Sequence, residues 1–456
     1  MQRRPSWPPP TSSPSISHPS EGHMPYRICE TDEADIGMRY YLSSNEGTGG
    51  RLKSTAQDFI VREISDRPQE KEGRFTIADV TSTNWETNRL VRLLSRSLNI
   101  SREKIGFAGT KDKRAVTTQL MSFECPPDRL EKVDLKDLEF NNVYTSNRPI
   151  RIGDLIGNRF EINVRDITAD MKDVPGMIEE TAETIRTIGG FPNYFGVQRF
   201  GVTRPITHLV GEAIVRGDLK KAVDLYLSYH SPNEGEEIQG IRNRLAHGED
   251  YSSVIPDMPK TMGFEKVMAE HLAKHPEDYR GAIAQMPSNL QMMFTHAYQS
   301  YLFNMMLSDR MEHGLPLNKP VIGDIVIPLD SNRNPIHDNP IVTTEKNIDL
   351  VAKQVRTGRA FISITLFGSD SVLADGEMGE IERKVIENEG IKEKDFMVIG
   401  LPHCTSKGTR REILCPVNDL QCSFEEDHYS VKFSLTKGNY ATCLMREFMK
   451  SDMTDY

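Results

Sequence analysis

Gly106-Phe107-Ala108-Gly109-Thr110-Lys111-Asp112-Lys113-Arg114-Ala115-Val116-Thr117-Thr118-Gln119 sets one carboxylate among three cations. The glycines and charges read as a turn between an apolar segment and a Thr-rich, strand-like one. A lone Asp on such a turn suits a carboxylate that must stay ionised beside an anionic substrate. Neighbouring Lys and Arg favour the charged form. They also supply the charge that a polyphosphate ligand needs. A solvated turn fits these fourteen residues equally well.

Around this stretch charge is segregated. From Trp85 to Gln119 there are eight Lys or Arg against three acids, and from Asp375 to Asp395 eight acids against four bases. The net charge of -10 therefore hides a basic region able to meet RNA and an acidic one that meets water. The length of 456 residues allows about three domains. No run of about eighteen apolar residues occurs, so no membrane-spanning helix is expected. The six cysteines lack CxxC or paired His spacing. That argues against a zinc site or disulfide framework and fits a cytoplasmic protein.

Residues 1–23 hold six Pro, six Ser and one aliphatic residue, Ile16. They are expected to form a disordered leader without the apolar core of a signal peptide, and Met24 is an alternative starting residue. Arg74 to Thr81 reads as a strand. Leu90, Val91, Leu93, Leu94 and Leu98 predict a helix with Arg89, Arg92 and Arg96 on its other side. Phe160, Ile162 and Val164 alternate, as do Tyr429, Val431, Phe433 and Leu435, predicting one antiparallel sheet built from both ends of the chain. Leu209 to Tyr229 and Leu290 to Met311 have helical periodicity, with Met292, Met293, Met305 and Met306 as core filling. Gly323 to Pro328 and Phe361 to Leu366 are short strands. The expected division is 24–202 and 401–456 as a catalytic domain and 203–400 as an inserted α/β domain.

Further blocks follow the first in order: Asn193-Tyr194-Phe195-Gly196-Val197-Gln198-Arg199-Phe200-Gly201, Ala297-Tyr298-Gln299-Ser300-Tyr301-Leu302-Phe303-Asn304, Gly408-Thr409-Arg410-Arg411-Glu412 and Gly438-Asn439-Tyr440-Ala441-Thr442. Upstream lie Leu52-Lys53 and Asp58-Phe59-Ile60-Val61-Arg62-Glu63. From about Arg51 to Phe448 the chain resembles the TruD family of tRNA pseudouridine synthases, in its longer archaeal or eukaryotic form. The sequence has Leu435-Thr436-Lys437 where the family often has Leu-Pro. The resemblance implies an α+β fold, with a mixed, mainly antiparallel catalytic sheet of pseudouridine-synthase type.

It also implies an isomerase that acts on tRNA, at uridine 13, without cofactor or metal. Asp112 would be the nucleophile, Lys53 its cation partner, and Phe195 the ring on which the extruded uracil stacks. Asn193 would sit beside the base and Phe59 would pack nearby. Lys111, Lys113, Arg114, Arg410 and Arg411 would bind RNA in a basic cleft. Gly438, Asn439 and Tyr440 would bring backbone to the site. Tyr194 and Phe200 are read as core. Two other functions compete: a catalytically silent RNA-binding or chaperone module, and a hydrolase pairing Asp112 with a distant acid such as Glu63.

Overall fold

The computed structural model describes residues 26–111, 113–330 and 333–456. The expected leader and Asp112 lie outside the described residues.

The larger sheet runs in the order Asn418–Phe424, Tyr429–Thr436, Leu155–Val164, Phe59–Ser65, Val116–Phe123, Phe75–Thr83 and Leu138–Ser146, with Ile105–Phe107 pairing on Val116–Phe123. Strands from the two ends of the chain do pair: Phe433 stands opposite Phe160, and Val431 opposite Ile162. Their alternating apolar side chains are buried on one face, where Phe160 stacks on Phe433 with centroids 5.2 Å apart. Neighbouring strands in this path are antiparallel except Phe59–Ser65 and Val116–Phe123, in which Ile60 aligns with Val116. Parallel alignment brings the lead-ins of both strands to one end of the sheet. Lys53 and Lys111 arrive there from positions far apart in sequence. The helix Thr87–Ser97 buries Leu90, Val91 and Leu94 and leaves Arg89, Arg92 and Arg96 exposed.

A four-stranded antiparallel sheet follows the order Ile341–Val342, Ile325–Pro328, Ala360–Leu366 and Thr409–Glu412. Its last strand comes from beyond residue 400. The next strand, Leu414–Pro416, pairs with Gly190–Pro192, which ties this layer to the segment before Asn193. Helices from Thr207 to Ala284 form a separate bundle, and the 25-residue helix Ser288–Glu312 runs from it into the main core. The result is an α+β fold.

Two expectations need correction. Leu209 to Tyr229 is two helices, Thr207–Val215 and Leu219–Ser228. Gly217 takes φ +78° between them, and the Asp218 carboxylate accepts from Lys221 N at 3.0 Å to start the second. In the long helix Met306 is fully buried and Met305 partly, but Met292 and Met293 are exposed. Near that end Gln291, Phe294 and Ala297 carry the buried face instead.

Candidate active site

Asn193 and Phe195 follow the Gly190–Pro192 strand, and strand pairing fixes them. Asn193 N donates to Ile413 O at 2.8 Å, and its Nδ2 to Glu412 O at 3.0 Å. The remaining amide oxygen accepts from Arg411 Nη2 at 2.7 Å. That pattern fixes the orientation of the amide. Phe195 is held through its backbone by Asn304 of the long helix. Phe195 N donates to Asn304 Oδ1 at 2.8 Å, and Asn304 Nδ2 donates back to Phe195 O at 3.0 Å. Asn304 has no solvent exposure, so both of its polar ends are satisfied inside the core.

The ring of Phe195 is 5% exposed. Phe303 meets it edge-on at 5.5 Å and Tyr440 at 6.3 Å. Two guanidinium groups approach it: Arg411 Cζ lies 4.2 Å from its centroid and Arg199 Cζ 5.3 Å. Burial lowers the Arg411 pKa below its ordinary range. Among the described residues its guanidinium has no carboxylate within ion-pair distance; its hydrogen-bond partner is the neutral Asn193. Among the described residues Arg199 Nε is also buried without a hydrogen bond. Two partly desolvated cations beside one aromatic ring form an environment that an incoming anion stabilises.

On the larger sheet, Lys53 adopts φ +57°, the left-handed region that costs a non-glycine residue roughly 1 kcal/mol. Its ammonium lies 4.6 Å from the Phe59 ring centroid. The turn behind it is closed by Asp58, which accepts from Thr55 N at 2.8 Å, Thr55 Oγ1 at 2.7 Å and Arg165 Nε at 2.7 Å. Burial opposes ionisation of Asp58, but these donors outweigh it and hold its pKa below the usual carboxylate range. Phe59, Phe160, Phe195, Phe303 and Phe433 belong to one hydrophobic cluster.

The predicted cations divide. Lys113 and Arg114 are exposed. Lys111 is buried; its Nζ donates to Glu63 Oε2 at 2.6 Å, and its backbone N donates to Thr87 Oγ1 at 2.8 Å. Arg410 turns away from Arg411, as successive strand residues do. It donates to Glu382 Oε1 at 2.7 Å, Ser363 Oγ at 2.9 Å and Val372 O at 2.7 Å. Gly438 has φ +86° in an open turn. Asn439 folds back onto Thr436 Oγ1 at 2.8 Å. Tyr440 alone of that trio reaches the Phe195 ring. Tyr194 and Phe200 are core: Tyr194 OH and Ser308 Oγ are 2.9 Å apart, and Phe200 is fully buried.

Sequence reading named neither Asn304 nor Arg199 as a site residue. Each had a signal: an amide on the apolar face of a long helix, and an arginine four residues after the aromatic.

The chain is similar to known proteins. The model of the family described as tRNA pseudouridine synthase D (TruD) matches residues 35–448. A Methanococcoides burtonii relative, "Probable tRNA pseudouridine synthase D", is 43% identical over 426 residues, covering 92% of this chain and 97% of its own. One from Pyrococcus furiosus with the same name is 34% identical over 416 residues, covering 91% and 99%. A crystal structure from Methanosarcina mazei bearing this family name superposes with a TM-score of 0.85 at 38% identity, covering 94% of this chain and 100% of that one.

Proposed function

The chain belongs to the tRNA pseudouridine synthase D family, and from that membership we propose that it converts a uridine of tRNA, at position 13, to pseudouridine. The observation that carries the reading is the extent of the match: Lys53, Asp112, Asn193, Phe195 and Arg411 all fall inside residues 35–448.

In this proposal the N1–C1′ bond of the uridine breaks and the uracil turns and rejoins through C5. Asp112 supplies the ionised carboxylate. Lys53 keeps it charged, an interaction of roughly 4 kcal/mol at about 4 Å and an effective dielectric of about 20. The target nucleotide leaves its stack, and its base is held against Phe195 beside the fixed amide of Asn193. Arg411 takes the phosphate of that nucleotide, the anion that its buried guanidinium lacks. The exposed cations Arg89, Arg92, Arg96, Lys113 and Arg114 supply the wider phosphate contacts. A hydrolase reading loses ground because Glu63, its candidate second acid, is buried with Lys111.

The test uses an unmodified tRNA transcript with chemical mapping of pseudouridine. The wild type is expected to modify position 13. Asp112→Asn is expected to form no product while keeping tRNA affinity within about threefold, because phosphate contacts dominate affinity. Turnover by the purified variant would remove Asp112 from its role. Tight RNA binding without product by the wild type would favour the silent RNA-binding reading.

A further inference from the structure

A cavity of about 650 Å³ lies on the far side of the strand that carries Arg411. Its floor is the start of the strand Ala360–Leu366 with Glu412, its roof the C-terminal half of the helix Ile348–Arg356, and its side wall the end of the helix Val174–Ile188. Asn318 Nδ2 donates to Ile188 O at 3.1 Å and closes one corner. The size suits a small organic ligand. Its apolar lining includes Leu317, Leu329, Val355, Ile362 and Leu414, and its charged lining includes Lys319, Arg333, Arg356 and Glu412.

Glu412 is the unusual member. Strand alternation sends it opposite to Arg411, into the cavity. Its carboxylate has no hydrogen bond or ion pair among the described residues, although it is largely removed from solvent. Burial pushes its pKa up to about 7, with Arg411 and Arg333 acting in the opposite direction. Arg333 approaches closely enough that a Cβ placed on Gly358 would stand 3.0 Å from its Nη2. A carboxylate with no partner, apolar walls and three cations describe a ligand with a flat apolar body, an edge of N–H donors and an anionic group.

We propose that this cavity binds a guanosine phosphate, with Glu412 accepting from the base edge and Arg333 holding the phosphate. Guanine presents two adjacent N–H donors, N1–H and N2–H, which match the two oxygens of one carboxylate. Adenine and uracil present no such pair. The apolar wall covers the faces of the base, and the cations take the phosphate. The nucleotide comes either from an unstacked position of an RNA chain or from the free pool. Because the test measures binding alone, it does not depend on the reaction proposed above.

Isothermal titration of the full chain with guanosine 5′-monophosphate, against adenosine and uridine 5′-monophosphates and inorganic phosphate, measures the preference. Guanosine monophosphate is expected to bind tightest. Glu412→Gln should weaken it by roughly five- to a hundredfold, the range for losing one bidentate base contact, and leave phosphate binding unchanged. Arg333→Ala should weaken every nucleotide. If a variant melts early, Val355→Trp fills the cavity from the roof helix and should abolish binding. Competition separates the sources: displacement by a tRNA transcript assigns the pocket to an RNA base, and no displacement assigns it to a free nucleotide. Equal binding of the three nucleotides, no binding of guanosine monophosphate, or unchanged affinity in Glu412→Gln overturns the proposal.

Discussion

Arg411 lies over Phe195, its guanidinium carbon 4.2 Å from the ring centroid. The adjacent Arg410 points the other way, into Glu382. Two consecutive arginines thus have different work, and substitutions should separate it. Arg411→Met keeps apolar contact with the ring and removes the charge. It is expected to weaken tRNA binding and reduce the salt slope by about one. Arg410→Met should leave the slope unchanged and lower stability, because it strands the fully buried Glu382 at a cost of about 3–5 kcal/mol. Binding isotherms at several salt concentrations, with urea unfolding, check both outcomes. Equal salt slopes for the two variants would merge the roles separated here.

Lys111 and Glu63 form a second buried pair, with side chains 6% and 1% exposed. Lys111→Met should destabilise the protein by about 3–5 kcal/mol, because Glu63 would lose its counter-charge. Adding Glu63→Gln should recover most of that loss. Chemical denaturation of the two single variants and the double variant measures the coupling. Losses that simply add would show that the pair is not coupled.

His208 predicts a dependence on pH. It lies between Phe200, edge-on at 5.2 Å, and Tyr301, stacked at 5.1 Å. Burial lowers its pKa from 6.5 to about 4, and among the described residues Nδ1 has no hydrogen bond. The folded state therefore prefers the neutral ring. Its contribution is complete above pH 6.5, and it is lost as pH falls from 6.5 towards 4, because only the unfolded chain takes up the proton. The loss amounts to about 3 kcal/mol. Urea unfolding between pH 7 and pH 4.5 should show this component in the wild type and not in His208→Phe. An identical pH dependence in both proteins would remove His208 as its source.

Gly211 sets propensity against packing. Alanine normally improves a helix by about 1 kcal/mol over glycine. A Cβ here would stand 2.0 Å from Phe294 O on the long helix, and the clash should win. Gly211→Ala is expected to destabilise by about 2 kcal/mol net of the propensity gain, which thermal melting can check.

Where local pattern governs, the sequence was legible. Alternation in Phe160 to Val164 and in Tyr429 to Leu435 is a direct record of one buried face, and it predicted pairing across the chain. Leu209 to Tyr229 misled because each of the two segments has apolar residues at helical spacing, so periodicity alone does not mark the break at Gly217-Asp218. The cations misled for another reason. Lys111 and Arg410 look available in sequence, but the acids that hold them, Glu63 and Glu382, lie 48 and 28 residues away. No local pattern reports such a distant partner. Phe195 was legible as an aromatic in a matched block, but not as a ring flanked by arginines on separate segments.

The site draws on late parts of the chain. Arg411 and Tyr440 flank Phe195, and Arg446 in the last helix holds Glu33 at 2.9 Å and the carbonyls of Met38 and Tyr40 at 2.9 Å each. A nascent chain on the ribosome therefore carries Asn193 and Phe195 long before the residues that complete their surroundings emerge. The segment around Glu33 waits for a partner made 413 residues later. Chains stopped before Arg446 should thus lack a completed site, whatever part of the site they already contain.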